Sequence, residues 1–393
     1  MLARTALRRA LLVHTNKRRC LSSSFSDSLQ PTSPPNDGPH PPYNLLFFGA
    51  DTFSCEVFER VHEARQDLLD HITVVTPPDQ KAGRKNREVH RPPLRILAEE
   101  LDVHSIALPK TLLKGWHPPD LFLPPSTSPL STPPSPRNLL LTASFGHLIP
   151  SALLSLFPLL NALNVHPSLL PKYRGAAPIQ HGIVNGDADE GGSGMGVTVQ
   201  ELSRGKFDQG RILGQTGVDV PSGSDFATLE PILARAGGDL LVSILQNLAD
   251  EQASAFPQDP ARATLAPKLH KSFARVDWSS KSPVEALRLQ RGIGHQVPLW
   301  TTYIPPSASP SASSASSQLQ LRLSPSPSPL PPTLALSSPG SVALDPTSKA
   351  VVVRCRDGNE GVELDKVKRE GGKWIKARDW WNALKRREGL VLA

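Results

Sequence analysis

Residues 164–186 read Asn164-Val-His-Pro-Ser-Leu-Leu-Pro-Lys-Tyr-Arg-Gly-Ala-Ala-Pro-Ile-Gln-His-Gly-Ile-Val-Asn-Gly186, and the rest of the chain is organised around this stretch. It follows an apolar, leucine-rich run that can pack in a core. In a strand, Asn164 and His166 point to one face and Val165 to the other. Pro167 cannot donate to a strand ladder, so the strand is expected to end there. Two polar side chains are therefore displayed at the carboxyl end of a strand.

An amide and an imidazole at the end of a strand suit a reaction site. In open α/β sheets, ligands bind beyond the carboxyl ends of the strands. An amide can stabilise an oxyanion, and an imidazole can transfer a proton. The alternative is that Asn164 and His166 are satisfied polar groups at a strand end, without a role in chemistry. The pair alone leaves both interpretations open.

The beginning of the folded chain predicts a Rossmann-like βαβ unit. Residues 43–49 read as a buried parallel strand, residues 54–64 as a helix and residues 71–75 as a second strand. Further strands are expected at residues 105–108, 138–143 and 196–200, a turn followed by a strand at 206–213, and helices at 94–101, 150–160 and 227–249. No Gly-x-Gly-x-x-Gly follows the first strand, so a dinucleotide cofactor is not supported. We therefore predict an α/β domain with a mostly parallel sheet.

Length and composition limit the possible classes of protein. A chain of 393 residues can form two domains with substantial cores. Many of its 41 prolines lie in Pro-Ser tracts without a Gly-X-Y period, which excludes a fibrous protein. The longest apolar runs are too short for a membrane span. Cys20, Cys55 and Cys355 are far apart and form no C-x-x-C pair, which argues against a disulfide framework or a zinc site and fits a reducing compartment.

The first forty residues have the composition of a targeting segment. Residues 1–26 hold six basic residues, several serines and no acid, which is typical of a mitochondrial transit peptide. A disordered basic tail is the alternative. Residues 31–42 are Pro-rich and predicted to be a spacer. Residues 1–40 contribute +4 of the net charge of +7, so a polyanionic partner would have to be held by local basic patches in the rest of the chain.

One such patch is a turn-rich loop at residues 77–87. It contains Lys81, Arg84, Lys85 and Arg87. The loop can be an ordinary solvated surface loop. It can also be a clamp for phosphates, in which arginine makes forked contacts and lysine acts as a point charge.

Three other features of the loops bear on chemistry. Asp208 is the one acid in the turn before residues 211–213. A carboxylate in such a turn is usually a turn former, but it can also orient an imidazole and accept a proton. His147 follows a strand in a turn, and we interpret it as structural or solvent-facing. The glycine-rich residues 191–196 precede a strand and not a helix, so we interpret them as a loop and not as a phosphate cradle.

Taken together, the motifs resemble those of the folate-dependent formyltransferases. The matching segments are Asn164-x-His-Pro-Ser-Leu-Leu-Pro-x-x-Arg-Gly-Ala-Ala-Pro-Ile179, Gly196-Val-Thr-Val199 and Phe207-Asp-x-Gly-x-Ile-Leu213. Within this family, Asp79-x-x-Ala-Gly-Arg84 and Ala143-Ser-Phe-Gly146 are similar to the methionyl-tRNA formyltransferase subgroup. Glycinamide ribonucleotide formyltransferases share the first part of the long motif but not Arg-Gly-Ala-Ala-Pro-Ile. The family's usual Gly-Thr-Pro turn is replaced here by Gly49-Ala-Asp-Thr52.

The resemblance implies transfer of a formyl group from 10-formyltetrahydrofolate, the co-substrate, to the α-amino group of methionine esterified to initiator tRNA. Neither a covalent enzyme intermediate nor a metal is required. Carried over by motif, the catalytic residues are Asn164, His166 and Asp208, the folate-binding residues are Ser168, Leu169, Leu170 and Pro171, and the tRNA-binding residues are Lys81, Arg84, Lys85 and Arg87. Asn164 would stabilise the oxyanion, and His166 and Asp208 would manage the protons.

The resemblance also implies a domain organisation. Residues 1–40 form the transit peptide and spacer, and residues 41–265 the catalytic domain. Residues 266–393 form a small OB-like β-barrel that helps to hold tRNA and carries a Pro/Ser-rich insertion at 304–340. In this barrel, residues 351–356 read as a strand with Arg354 and Arg356 on one face, which is either an RNA-contacting face or an ordinary solvated one. We expect a monomer in the mitochondrial matrix, without membrane association.

Other functions fit part of the same pattern. A 10-formyltetrahydrofolate hydrolase would use a similar site with water as the acceptor, but it has no use for a basic loop and a basic barrel. Another amine formyltransferase of the family, acting on a sugar nucleotide, shares the central motif. A non-catalytic RNA-binding module would require the Asn164, His166 and Asp208 set to be incidental.

Overall fold

The computed structural model describes residues 42–82, 88–125, 132–189, 194–303, 317–330, 336, 338–356, 360–384 and 390–393. The predicted transit peptide, the Arg84 part of the basic loop and residues 304–316, 331–335 and 337 of the predicted insertion lie outside these residues. Residues 317–329 were predicted to belong to a Pro/Ser-rich insertion, but they form a strand that pairs with a neighbour on each side, because Leu319, Leu321 and Leu323 alternate into the core of the second domain. Residues 41–393 form one unit by their internal contacts.

Strands and helices alternate in the first half of the chain, and strands dominate the second half. In chain order the strands are β1 (Tyr43–Gly49), β2 (Leu69–Thr76), β3 (Gln80–Ala82), β4 (Glu88–His90), β5 (Ser105–Ala107), β6 (Asn138–Ala143), β7 (Ala162–His166), β8 (Gly196–Glu201), β9 (Ile212–Gly217), β10 (Leu299–Tyr303), β11 (Ser317–Pro329), β12 (Val342–Leu344), β13 (Val351–Arg354), β14 (Glu360–Arg369) and β15 (Ile375–Lys376). The helices are α1 (Thr52–Glu63), α2 (Arg65–Leu68), α3 (Pro93–Glu100), α4 (Ser151–Leu154), α5 (Pro178–Asn185), α6 (Phe226–Gln246), α7 (Leu248–Ser254), α8 (Pro283–Ile293) and α9 (Ala377–Asn382).

A seven-stranded sheet in the order β5-β2-β1-β6-β7-β8-β9 forms the centre of the first domain. The strands from β5 to β7 are parallel, whereas β8 and β9 run antiparallel to their neighbours. The side chains of β1 alternate between two cores. Leu45 and Phe47 pack in the core that includes α1 and α6, and Leu46 and Phe48 pack in the core on the other face. The predicted α/β class with a mostly parallel sheet is confirmed.

Two predicted helices differ from the observed ones. The helix predicted for residues 150–160 is the single turn α4. Pro158 disfavours a helical conformation of the residue before it, so the apolar run cannot continue as a helix. The helix predicted for residues 227–249 is divided at Asn247, whose φ of −130° and ψ of 34° are not helical, into α6 and α7.

The second domain contains an antiparallel sheet in the order β10-β11-β14-β13-β12, with β15 beside β14. Residues 390–393 join the two outermost strands of this path. Leu392 pairs with Tyr303 at the end of β10, and Val391 pairs with Ser341 next to β12. The backbone nitrogen of Thr302 lies 3.0 Å from the carbonyl oxygen of Ala393. The sheet therefore closes into a barrel. The predicted second domain, separate from the first and built of antiparallel strands, is observed.

Helix α8 connects the two domains. It begins with a capping box, in which the Ser282 hydroxyl accepts from the Glu285 amide and the Glu285 carboxylate accepts from the Ser282 amide. Its Arg288 and Arg291 each donate to the Asp189 carboxylate over 2.6 Å, beyond the end of α5. Among the described residues, no helix is long and apolar enough to cross a membrane.

Candidate active site

Asn164 and His166 lie on β7, where the direction of the central sheet changes. β7 is parallel to β6 on one side and antiparallel to β8 on the other. The strand ends at His166, and Pro167 follows. Both polar side chains line one cavity at this edge of the sheet. The predicted position of the pair at the carboxyl end of a strand is therefore observed.

The amide of Asn164 is oriented by a neighbour on β6. The Thr142 hydroxyl donates to Asn164 Oδ1 over 2.7 Å. Since Oδ1 is held by this bond, the orientation of the amide is fixed, and Nδ2 is the atom that can donate to a molecule in the cavity. Thr142 is not among the predicted site residues, although a threonine in the otherwise apolar stretch of residues 139–143 is a sign of a polar role.

His166 is buried and held at one ring nitrogen by the backbone. Its Nε2 lies 2.9 Å from the carbonyl oxygen of Tyr173. Because a carbonyl can only accept, Nε2 carries a hydrogen and donates it. The other nitrogen, Nδ1, lies 3.5 Å from Asp208 Oδ1. Nδ1 is therefore the nitrogen through which His166 can exchange a proton with the site.

Asp208 is brought from the loop before β9 to the same cavity. Gln200 Nε2 donates to its Oδ1 over 2.9 Å, and the Gly175 amide donates to its Oδ2 over 2.8 Å. Gly175 has a φ of +127°, and a Cβ there would lie 2.6 Å from the Ala266 carbonyl oxygen, so the position requires glycine. Gln200, a second polar residue on a buried strand, was also missed from the sequence.

The cavity has a volume of about 440 Å³, and all three residues line it. Phe145, Ile149, Leu154 and Val165 give it apolar walls. This volume lies within the range of roughly 300–1,000 Å³ for small-molecule sites. An apolar cavity with a few converging polar groups is suited to bind a small organic molecule and to act on one of its polar bonds.

The turn that follows β1 forms an acidic wall of the cavity. Burial raises the pKa of Asp51 above its usual value, although hydrogen bonds from the Ser144 hydroxyl and the Ser54 amide lower it. Burial also raises the pKa of Glu230, which accepts from the Thr52 hydroxyl over 2.8 Å. This wall coincides with the place where Gly49-Ala-Asp-Thr52 departs from the family pattern.

The four residues predicted to bind folate lie behind the cavity and not at its surface. The Ser168 hydroxyl donates to the Lys172 carbonyl over 2.6 Å, and the Leu170 amide donates to the Thr198 hydroxyl over 3.0 Å. None of Ser168, Leu169, Leu170 and Pro171 lines the cavity. The turn after Pro167 directs this segment toward β8, so its folate contacts stay a prediction.

The residues predicted to bind tRNA are distributed over several places. Lys81 is exposed on β3. Arg84, Lys85 and Arg87 lie outside the described residues. Arg354 donates to the Leu336 carbonyl. Arg356 is half exposed, donates to the Ser280 carbonyl over 2.8 Å and lies 3.5 Å from the Glu285 carboxylate. Arg354 and Arg356 thus both donate to carbonyl groups within the protein, and their contacts with tRNA stay a prediction.

A basic face with aromatic rings lies on the outside of the barrel. Trp300, Gln320 and Lys368 are in register across β10, β11 and β14. The ring of Trp300 lies 5.9 Å from both the Lys271 ammonium and the Arg275 guanidinium. We define the barrel face by its members, which are Lys271, Arg275, Trp300, Arg322, Lys366, Lys368, Trp374 and Lys376.

Within the described ranges, no group of three or more His, Cys, Asp or Glu side chains is arranged to hold a metal ion.

Comparison with known proteins finds relatives of both domains. A family model described as formyl transferase matches residues 43–245, and one described as formyl transferase, C-terminal domain, matches residues 268–385. A solved N-formyltransferase from Helicobacter canadensis, in complex with folinic acid and dTDP-3-aminofucose, has a TM-score of 0.50 and 13% identity over 82% of this chain and 99% of that chain. That likeness shows a shared fold.

The sequence is 31% identical over 348 residues to the mitochondrial methionyl-tRNA formyltransferase of Homo sapiens, which covers 87% of this chain and 78% of that protein. It is 29% identical over 336 residues to the methionyl-tRNA formyltransferase of Staphylococcus aureus strain MW2, which covers 86% of this chain and 94% of that protein. Because the matched residues run from β1 into the barrel and include Asn164, His166 and Asp208, the chain belongs to the formyl transferase family.

Proposed function

We propose that the protein transfers a formyl group from 10-formyltetrahydrofolate to the α-amino group of methionyl initiator tRNA, for mitochondrial translation initiation. The observation that carries the proposal is the convergence of Asn164, His166 and Asp208 on one cavity. It occurs in a chain that is similar over most of its length to proteins named methionyl-tRNA formyltransferases.

Asn164 stabilises the negative charge that develops on the formyl oxygen when the amine attacks. Its amide is already oriented by the Thr142 hydroxyl, so no reorganisation is needed during the reaction. One such donor contributes about 2.7–4 kcal/mol to catalysis in comparable oxyanion sites.

His166 and Asp208 manage the protons. The attacking amine must lose a proton, and Asp208 is the carboxylate at the site that can accept it through a water molecule. His166 Nδ1 faces the same carboxylate, so Asp208 also fixes the position of the imidazole. A proton on Nδ1 can be donated toward the oxyanion or to the leaving nitrogen.

The cavity fits a folate co-substrate. The folate supplies the formyl carbon and the nitrogen that leaves. Phe145, Ile149 and Val165 offer apolar area for a flat heterocycle, and the carboxyl groups of Asp51 and Glu230 offer hydrogen-bonding partners. The proposed folate contacts include Ser168, Leu169, Leu170 and Pro171, in the loop that directly follows His166.

The charge of the barrel face supports an RNA acceptor. Lysines and arginines neutralise phosphates, and exposed aromatic rings stack on bases. Trp300 between Lys271 and Arg275 combines both properties. Lys81, Arg84, Lys85 and Arg87 would add a second contact near the acceptor end. Arg354 and Arg356 are proposed to contact the tRNA as well, from the edge of the barrel.

The proposed location is the mitochondrial matrix. The composition of residues 1–26 and the mitochondrial relatives support it. We further propose that the enzyme acts as a monomer, with residues 41–265 as catalytic domain and residues 266–393 as tRNA-binding domain. Fusion of residues 1–40 to a fluorescent protein tests the proposed location. Import into the matrix is expected, and a cytosolic signal would contradict it.

The central test incubates the full chain with 10-formyltetrahydrofolate and charged initiator tRNA. Formyl-methionyl-tRNA is the expected product. Charged initiator tRNA with an acetylated α-amine is the matched control and should accept nothing. Release of free formate without formyl-methionyl-tRNA would favour a hydrolase, and formylation of a sugar-nucleotide amine alone would favour a sugar formyltransferase.

A further inference from the structure

The segment between α7 and the second domain, residues 255–267, runs along the back of the site. Its backbone pairs at Phe256 with Ile212, and Arg174 exchanges two hydrogen bonds with Thr264 and Ala266 over 2.9 and 2.8 Å. None of its residues lines the cavity. The segment therefore contacts both loops that carry the site without reaching the substrate space.

Gln258 is the side chain on this segment that reaches the Asp208 loop. Its Nε2 lies 3.1 Å from the Asp208 carbonyl oxygen and 2.9 Å from the Gly210 carbonyl oxygen. It also lies 3.0 Å from Oε1 of Gln200, whose own Nε2 donates to the Asp208 carboxylate. One amide group thus contacts the carbonyl groups of Asp208 and Gly210 and fixes the direction of the Gln200 amide that holds the Asp208 carboxylate.

The backbone of Asp208 needs such support. Its φ of 53° lies in the left-handed region, which is unfavourable for a residue with a Cβ. A residue in this region keeps its conformation only where surrounding contacts determine it. Both carbonyl groups that Gln258 contacts belong to this turn, so loss of the contact is expected to let the carboxylate move away from His166.

The orientation of Gln258 is determined by Arg174. Nε and Nη2 of Arg174 donate to Gln258 Oε1 over 3.0 and 2.7 Å, which leaves the donor end of the amide toward the Asp208 loop. Among the described ion pairs within 4 Å, Arg174 and Asp208 do not form one. A neutral carboxamide between them satisfies the arginine without using an oxygen of the catalytic carboxylate.

We propose that Gln258 is a positioning residue for Asp208, which acts by holding the carboxylate in place for His166 and for the proton of the acceptor amine. The inference rests on the proposed function of Asp208. It requires the carboxamide specifically, since the acceptor end serves Arg174 and the donor end serves the Asp208 loop.

Two substitutions separate positioning from simple support of Arg174. Gln258→Glu keeps an acceptor for the guanidinium but loses the donor, and Gln258→Met loses both. If Gln258 positions Asp208, both variants lower kcat by about 10- to 100-fold, because a misplacement of 1 Å is worth about 100-fold. KM for the folate and for charged tRNA should stay near the wild-type values, since no contact to either is removed.

Gln252→Glu is the matched control. Gln252 Nε2 donates to the Leu160 carbonyl and to Asn161 Oδ1, over 3.2 and 2.7 Å, away from the Asp208 loop. The Gln252→Glu variant makes the same chemical change in a half-buried amide of the neighbouring helix α7. Its kcat should be retained even if its Tm falls. Wild-type kcat in Gln258→Glu, or an equal loss of kcat in Gln252→Glu, would overturn the proposal. If the wild-type chain releases formate and does not formylate tRNA, the proposed acceptor is wrong. The kcat of formate release is then compared among the wild type and the Gln258 and Gln252 variants, which tests the role of Gln258 independently of the acceptor.

Discussion

At the scale of single residues, the site depends on groups that orient its reacting side chains. Thr142 fixes the orientation of the Asn164 amide, and the Tyr173 carbonyl determines which nitrogen of His166 carries a hydrogen. Thr142 lies just before one of the quoted motifs, and Tyr173 occupies an unspecified position within another. The chemistry resides in three residues, but their usefulness depends on neighbours that hold each one in a single orientation.

Removal of the Asn164 amide tests its role as an oxyanion donor. Asn164→Ala is expected to lower kcat by about 100- to 1,000-fold, which is the effect of losing one such donor. Folate affinity, measured by equilibrium binding, should change little. Near-normal turnover would exclude Asn164 from the mechanism.

The Thr142 hydroxyl provides a finer test of the same idea. Thr142→Val keeps the shape of the side chain but no longer fixes Asn164 Oδ1, so kcat should fall by about 10-fold, as expected when about 1.4 kcal/mol of transition-state stabilisation is lost. Thr142→Ser retains the hydroxyl and should retain most of the activity. Equal kcat values in the two variants would show that the hydroxyl does not orient the amide.

The raised pKa of Asp51 predicts how the stability of the protein depends on pH. Because burial raises its pKa, the folded state holds the proton more tightly than the unfolded state. The stability that this carboxyl group contributes is therefore fully present at pH values below its ordinary pKa of 3.8. It is lost as the pH rises through the higher pKa of the folded state. Asp51→Asn, which keeps an acceptor for the Ser54 amide, should gain Tm relative to wild type as pH is raised from 4 to 7.

Glu285 is a control for this measurement, because its pKa is shifted in the opposite direction to that of Asp51. The Ser282 backbone amide and hydroxyl hold its pKa below the ordinary value of 4.5. The stability that Glu285 contributes is therefore fully present at pH values above its ordinary pKa of 4.5. It is lost as the pH falls through the lower pKa of the folded state. Glu285→Gln should therefore lose Tm relative to wild type as pH rises from 3 to 7. If Tm relative to wild type changed in the same direction with pH in both variants, at least one of the two assignments would be wrong.

At the scale of elements, α8 begins with a capping box and carries the arginines that bind Asp189. Ser282→Ala removes the cap and should cost about 1 kcal/mol, whereas Ser282→Gly should cost only a few tenths. Hydrogen exchange of the Glu285 and Ala286 amides measures the difference directly. Equal protection in the two variants would mean that packing against the barrel, and not the cap, determines the start of α8.

The elements show what a single sequence can and cannot predict. Strands with apolar residues on both faces, such as β1 and β6, were located almost to the residue because burial leaves a continuous apolar run. The pair on β7 was found because Pro167 ends the strand next to it. The contacts to Asp208 from Gly175, Gln200 and Gln258 could not be found, since they join segments separated by up to 50 residues. Alternation along a strand also does not reveal that Arg354 and Arg356 donate to carbonyl groups within the protein, and their contact with RNA stays a prediction.

At the scale of the whole molecule, the barrel face is expected to set the dependence of tRNA binding on salt. Lys368→Gln removes one charge from this face and should weaken binding of charged tRNA. If Lys368 contacts a phosphate, the slope of log affinity against log salt should decrease in magnitude by about 1. Lys349→Gln, in the turn between β12 and β13, is the control and should leave the slope unchanged.

The closure of the barrel by residues 390–393 has a consequence for the order of folding. Contacts such as Thr301 with Ala393 span 92 residues, whereas the strands of the central sheet are complete by residue 217. Domains fold as they leave the ribosome, and pairings distant in sequence form late. A nascent chain that has emerged only to residue 389 would therefore carry a finished catalytic sheet beside a barrel with two unpaired edges. Such edges promote association between chains, so we expect the barrel to be most prone to association before residues 390–393 pair.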